Sequence, residues 1–141
     1  MPIAAPARAV TATGDHVDPA PAVLVVDDEP DMRISYERLL KRLGYRVVQA
    51  GTRGRGLAVV HAEPLILVVS DLRLTDGSGL DVVAAADAAP TRVPAIVVTG
   101  FLSAGSRRAA LDAGAAGFLA KPFAAHDFTA LVGQVIGRRA S

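Results

Sequence analysis

Five short apolar runs, spaced through residues 23–120 and separated by stretches of helical period, set the tightest limit on what this chain can fold into. They are Val23-Leu24-Val25-Val26, Tyr45–Ala50, Leu65–Val69, Ala95–Val98 and Gly117–Ala120. Each is too short for a helix, and most are rich in Val, which fits strands buried on both faces. Between them, Met32–Leu43 sets Met32, Tyr36, Leu39, Leu40 and Leu43 on one stripe, with Gly44 placed to stop the helix. Leu57, Val60 and His61 mark a second helix, weakened by Gly54 and Gly56. Leu80, Val83, Ala84 and Asp87 mark a third before Pro90, Ala104–Ala113 a fourth ending at Gly114, and Phe128, Leu131, Val132 and Val135 a fifth. Strand and helix in alternation predict an α/β, doubly wound, five-stranded parallel sheet with helices on both faces. Right-handed crossovers bring every strand's C-terminal end to one edge, where such folds form their ligand sites.

Composition narrows the class. A chain of 141 residues suits one domain. With aromatics at only 4%, its core must be built mainly from Ala and Val, which suits close helix-on-sheet packing. Residues 1–21 carry Pro2, Pro6, Pro19 and Pro21 and no persistent period, so they are expected to be a disordered tail ahead of a domain over 22–141. Lys+Arg 15 against Asp+Glu 14 leaves no basic surplus for nucleic acid. The absence of Cys excludes disulfides, thiolate metal sites and cysteine nucleophiles. No apolar run nears the roughly 18–20 residues that span a bilayer, and MPIAAPARAV does not read as a signal peptide. The expectation is a cytoplasmic domain without membrane contact. His16, His61 and His126 have no paired metal spacing and read as bystanders.

The polar residues at the predicted strand ends form one set: Asp27-Asp28-Glu29 after the first strand, Ser70-Asp71 after the third, Thr99-Gly100 after the fourth and Lys121-Pro122 after the fifth. Each has an ordinary explanation taken alone. Acids before Pro30 suit a helix N-terminus, Asp71 suits a turn, and Lys121 suits a surface. Their convergence on one edge does not. Clustered carboxylates repel one another unless a cation joins them, and oxygen-only donors favour Mg²⁺, with Mn²⁺ as the second choice. Lys121 and Thr99 add donors for an anionic oxygen. A carboxylate, a metal, a lysine and a hydroxyl suit phosphoryl transfer, with Asp71 as nucleophile forming an acyl phosphate.

The motifs VLVVDDEP, VVSDLRLTDGSGL, AIVVTG and GAAGFLAKPF, in this order, resemble the receiver domain of bacterial two-component response regulators over about residues 22 to 137. The resemblance implies a flavodoxin-like sheet of order 2-1-3-4-5. It implies Asp71 as phosphoacceptor, Asp28 as direct Mg²⁺ ligand, Asp27 as its acidic neighbour, and Arg73 as the residue whose backbone carbonyl completes the metal site. It further implies Thr99 as switch hydroxyl, Lys121 as the phosphoryl-binding lysine, Pro122 as a cis proline and Phe118 as the aromatic that turns inward with Thr99. An ordinary core ring is the equal alternative for Phe118. The chain departs from the family pattern at Thr75, where Pro is common, leaving a turn-rich loop in which Ser78 suits a helix cap. Phe118 lacks a phenolic hydroxyl. Phe101 could restrict attacking water, and the Arg73 side chain could affect hydrolysis of the acyl phosphate.

The partners so implied are a sensor histidine kinase or phosphotransfer protein and an unidentified output protein, with the chain a monomer or a phosphorylation-dependent dimer. The resemblance implies a domain that is not a conventional enzyme but catalyses its own aspartyl phosphorylation and dephosphorylation. A stand-alone regulator is expected; a fragment of a larger regulator or hybrid kinase is the alternative. Two other classes stay open: an unphosphorylated pseudo-receiver, and a nucleotide or flavin enzyme, which would need a Gly-rich phosphate loop where Asp27-Asp28-Glu29-Pro30 stands.

Overall fold

The computed structural model describes residues 20–140, so the tail expected over 1–21 lies outside the described residues except for its last two. From Ala22 onward, strand and helix alternate: β1 (Ala22–Val26), α1 (Pro30–Arg42), β2 (Arg46–Ala50), α2 (Arg53–Ala62), β3 (Leu65–Ser70), a short hairpin of β4 (Arg73–Leu74) and β5 (Gly77–Ser78), α3 (Leu80–Asp87), β6 (Ala95–Thr99), α4 (Ala104–Asp112), β7 (Gly117–Ala120) and α5 (Ala125–Ala140). The main sheet is parallel throughout, in the order β2-β1-β3-β6-β7. Counted by its own strands alone, that is the flavodoxin-like order 2-1-3-4-5. The hairpin is antiparallel and separate, and its two-residue strands are too short to leave a period in the sequence.

Alternation along the strands divides the core. Leu24 and Val26 of β1 and Val97 of β6 face Val59, Val82, Val83 and Ala110 from α2, α3 and α4. Val23, Val25, Ile96 and Val98 face Tyr36, Leu40, Phe128 and Val132 from α1 and α5. Three of the rings, Tyr36, Phe123 and Phe128, gather on this second face with centroids 5.4–6.0 Å apart. The first face is built from Val and Ala, and one glycine lets it close. A Cβ on Gly56 would stand 3.1 Å from Val26 Cγ2, so the residue that weakens α2 by propensity is what allows α2 to lie against β1. Burial on both faces holds for β1 and β6 but not for β2, whose residues are mostly half-buried because an edge strand has a neighbour on one side only.

Helix ends follow local chemistry. Pro30 starts α1, where its missing N–H costs nothing, and Gly44 (φ +94°) ends it with Gly44 N–H on Lys41 O and Tyr45 N–H on Leu40 O. Gly114 (φ +104°) ends α4 in the same way. Ser78 accepts the Leu80 N–H at 3.1 Å, although the residue in the capping position of α3 is Gly79. Among the described residues no helix is long and apolar enough to cross a membrane.

Candidate functional site

Backbone bonds that continue past the strand ends hold the site together. Asp27 N–H donates to Ala50 O at 3.1 Å, and Asp71 N–H donates to Val26 O at 2.9 Å. Two carboxylates from neighbouring strands are thereby fixed side by side. Lys121 N–H donates to Thr99 O at 3.0 Å, which ties the lysine to the β6 end. The peptide bond between Lys121 and Pro122 is cis, as the resemblance implies.

The Lys121 ammonium reaches Asp27 Oδ2 and Asp71 Oδ2, both at 2.8 Å, and lies 3.6 Å from Glu29 Oε1. Its side chain is 16% exposed, that of Asp71 11%, and Asp27 is fully buried. Burial pushes the lysine pKa down, but the hydrogen bonds and charges of Asp27 and Asp71 outweigh it and leave the pKa raised, so Lys121 stays cationic. Carboxylate oxygens of Asp27, Asp28 and Asp71 all lie within 4.8 Å of one another. Arg73 N–H donates to Asp71 Oδ1 at 3.2 Å, which sets the Arg73 peptide beside the cluster. An all-oxygen set carrying several negative charges fits a hard divalent cation such as Mg²⁺.

The expected residues therefore converge, and Thr99 adds a detail. It is buried, and its hydroxyl accepts the Phe101 N–H at 3.1 Å; among the described residues that hydroxyl makes no hydrogen bond to Asp71 or Lys121. Phe118 is half-buried against the Val/Ala face, with the Arg107 guanidinium 4.9 Å from its ring centroid.

Four residues had not been singled out. Tyr36 is buried, and its hydroxyl donates to Asp27 Oδ2 at 3.4 Å. Burial first, then the charges of Asp27, Asp71 and Glu29, push the phenol far above its ordinary pKa, so it remains a donor. Its place on the apolar stripe of α1 hid this role. Arg33 donates to Asp27 O at 2.7 Å and to Gln49 Oε1 at 3.1 Å, bracing the acidic loop from α1. Gly79 lies against Asp71, since a Cβ there would stand 1.8 Å from the Asp71 carbonyl oxygen. Asp76 accepts the N–H groups of Arg53 (2.7 Å) and Gly54 (3.0 Å), and Arg53 Nε also bonds Asp81 Oδ2 at 2.6 Å. This clamp pins the hairpin loop to the start of α2, in a loop where Thr75 replaces the usual stiffening proline.

The two backbone hydrogen bonds, from Gly54 and then Arg53, hold the Asp76 carboxyl below its ordinary pKa. Its contribution to stability is thus complete above the unfolded value of about 4 and is lost as pH falls through the lower folded value. Urea midpoints of parent and Asp76→Asn are expected to differ at neutral pH and to converge in acid. A difference that widens in acid would contradict the assignment.

The sequence model of the response regulator receiver domain matches residues 23–133. The chain belongs to this family. The photosynthetic apparatus regulatory protein RegA of Rhodovulum sulfidophilum is 36% identical over 110 residues, covering 78% of this chain and 60% of RegA. The chain thus spans less than two thirds of the length of that curated relative. The receiver domain protein (CheY-like) from Methanospirillum hungatei JF-1 superposes with a TM-score of 0.81 at 28% identity, covering 85% of this receiver and 96% of that chain. The receiver of sensor histidine kinase PA1611 from Pseudomonas aeruginosa PAO1 superposes with a TM-score of 0.75 at 27% identity, covering 84% and 99%; that structure has a magnesium ion coordinated in its active site cleft.

Proposed function

We propose that this receiver is a phosphorylation-controlled switch in which Asp71 takes a phosphoryl group from a phosphohistidine of a sensor kinase or phosphotransfer protein. The observation that carries the reading is the Lys121 ammonium held at 2.8 Å from Asp71 at the edge of a three-carboxylate cluster. Asp71 attacks phosphorus through a carboxylate oxygen as the N–P bond of the donor breaks, and the imidazole leaves with the electron pair. Lys121 is already placed against one Asp71 oxygen, ready to neutralise charge gathering on the phosphoryl oxygens. Asp27 and Asp28, with Asp71 and the Arg73 carbonyl, would hold Mg²⁺, or Mn²⁺ in its stead; the bound ion supplies further charge neutralisation. The magnesium in the PA1611 receiver supports that part of the reading.

Donor docking has a matching surface. A groove of about 640 Å³ runs along α1 to the start of α5, lined by Met32, Leu39 and Phe123 together with Arg38, Arg42 and Lys121. It suits an apolar helix with acidic flanks that carries the phosphohistidine. On phosphorylation, Thr99 gives up the Phe101 N–H to bond the phosphoryl group. Phe118 then loses its cover under Arg107, and the surface from Ala104 to Arg138 changes for an output protein or a second copy. A cytoplasmic setting belongs to the same reading.

Acetyl phosphate with Mg²⁺ is expected to add one phosphoryl group, read by intact mass, and chelation of the metal to stop the reaction. Beryllofluoride should bind in its place. A chain that neither gains mass nor binds beryllofluoride is an interaction module instead.

A further inference from the structure

Three donors hold the buried Asp27 carboxylate, and two of them share one oxygen. Glu29 N–H donates to Oδ1 at 2.9 Å. Oδ2 takes the Lys121 ammonium at 2.8 Å and the Tyr36 hydroxyl at 3.4 Å. Asp27 has no exposed surface, so bulk water does not replace a donor lost from Oδ2. Arg33 does not replace it either, because its guanidinium is bound to the Asp27 main-chain oxygen. Tyr36 is itself buried, and among the described residues its hydroxyl has no other hydrogen-bond partner. Its ring is held on two sides, parallel to Phe123 (centroids 6.0 Å apart, 9° between planes) and tilted against Phe128 (5.4 Å). Phe123 follows Lys121 by two residues, so the ring packs on the segment that carries the lysine. A contact of 3.4 Å is long for an O–H···O bond, which ordinarily closes to about 2.7–2.8 Å. The ammonium, nearer and charged, has first hold on Oδ2.

We infer that Tyr36 is a positioning residue for phosphoryl transfer, its hydroxyl taking over the Asp27 oxygen that Lys121 releases; this rests on the phosphoacceptor reading of Asp71. In the unmodified site the ammonium bridges Asp27 Oδ2 and Asp71 Oδ2, both at 2.8 Å. Phosphoryl oxygens stand one P–O bond beyond the Asp71 carboxylate, and an ammonium that follows them draws away from Asp27. Without a second donor, that movement would leave a buried anionic oxygen short of a hydrogen bond, which is costly. The phenol removes the cost. It already lies against Oδ2 and has only a few tenths of an ångström left to close. No proton is transferred, and the hydroxyl donates before and after the lysine moves. Tyr36 touches neither the phosphoryl group nor Asp71; it acts by freeing Lys121 to serve the phosphoryl oxygens.

The test compares, by titration calorimetry on the full chain, the affinity for Mg²⁺ alone with that for beryllofluoride at saturating Mg²⁺, in parent and Tyr36→Phe. Phe keeps the ring packing and removes one hydroxyl. Beryllofluoride affinity is expected to fall about tenfold, the scale of one hydrogen bond to a charged group. Affinity for Mg²⁺ alone should fall by less than about twofold, because Lys121 still covers Oδ2 in that state. A packing defect would weaken both alike. Absorption gives a second readout in the parent chain itself. The chain has no Trp and two Tyr, Tyr36 and Tyr45. Closing of the Tyr36 bond should shift the near-ultraviolet tyrosine band to the red as beryllofluoride binds, and the shift should survive Tyr45→Phe and vanish in Tyr36→Phe. Equal losses of the two affinities overturn the role of Tyr36. So does an unmoved beryllofluoride affinity, which would mean that the metal ion suffices at Oδ2, and so does a missing shift or one that belongs to Tyr45. A parent chain that neither binds beryllofluoride nor takes label overturns the phosphoacceptor reading, and the role of Tyr36 with it.

Discussion

Asp71→Asn is expected to lose phosphoryl uptake from acetyl phosphate by more than about a hundredfold, the scale of removing a nucleophile, while keeping its fold. The substitution is nearly isosteric. The main-chain bond from residue 71 to Val26 O does not depend on the side chain, and an amide oxygen can still accept from Lys121 or from Arg73 N–H. What disappears is the charge that makes the oxygen a nucleophile and one of the three charges gathered within 4.8 Å. Two readouts should therefore move together: no mass gain with acetyl phosphate, and weaker Mg²⁺ binding in a titration. Thermal unfolding should change little, because the buried partner of Lys121 is Asp27, which remains. Asp28, with its carboxylate in the same cluster, is the natural substitute acceptor. Label that persists in Asp71→Asn and maps to Asp28 would overturn the assignment; loss of label without loss of fold is the outcome the geometry requires.

The main sheet was legible because its strands differ so sharply from what surrounds them. Val-rich runs bounded by Pro, Gly and acids mark β1, β3 and β6 within a residue of their observed ends. The gathering of Asp27, Asp28, Asp71, Thr99 and Lys121 at one edge followed from crossover handedness alone. What escaped notice depends on contacts distant in sequence. Tyr36 reads as one more residue of an apolar stripe, and only the crossing of α1 over the sheet turns its hydroxyl toward Asp27. The hairpin has no period, and Asp76 looks like a turn acid until α2 is placed against it. Gly56 has the same letter as a helix-weakening glycine anywhere, and its value emerges from Val26 across the interface.

Gly79 carries the second large expectation. Its backbone (φ −64°, ψ −17°) is ordinary helical geometry, so neither a turn nor strain calls for glycine there. The requirement is space. An added Cβ would meet the Asp71 carbonyl oxygen at 1.8 Å and Ser70 Oγ at 2.7 Å. Neither can yield cheaply. The Asp71 carbonyl accepts from Ser70 Oγ at 2.9 Å, and Gly79 N–H is bound to Leu72 O at 2.8 Å. Gly79→Ala must therefore push the hairpin away from the end of β3. A cost of about 3 kcal/mol is expected, the upper part of the range for overpacking, together with slower phosphoryl uptake in whatever fraction stays folded. Gly133 is the contrasting case. It lies exposed in the middle of α5 with nothing within 4 Å of a Cβ. There the same substitution should stabilise by about 0.5–1 kcal/mol through helix propensity alone. Urea midpoints that fall for Gly79→Ala and rise for Gly133→Ala would locate the constraint in the Asp71 carbonyl. Equal and small shifts for both would mean that the hairpin is loose enough to give way, and Asp71 would then have lost the rigid backing the structure assigns to it.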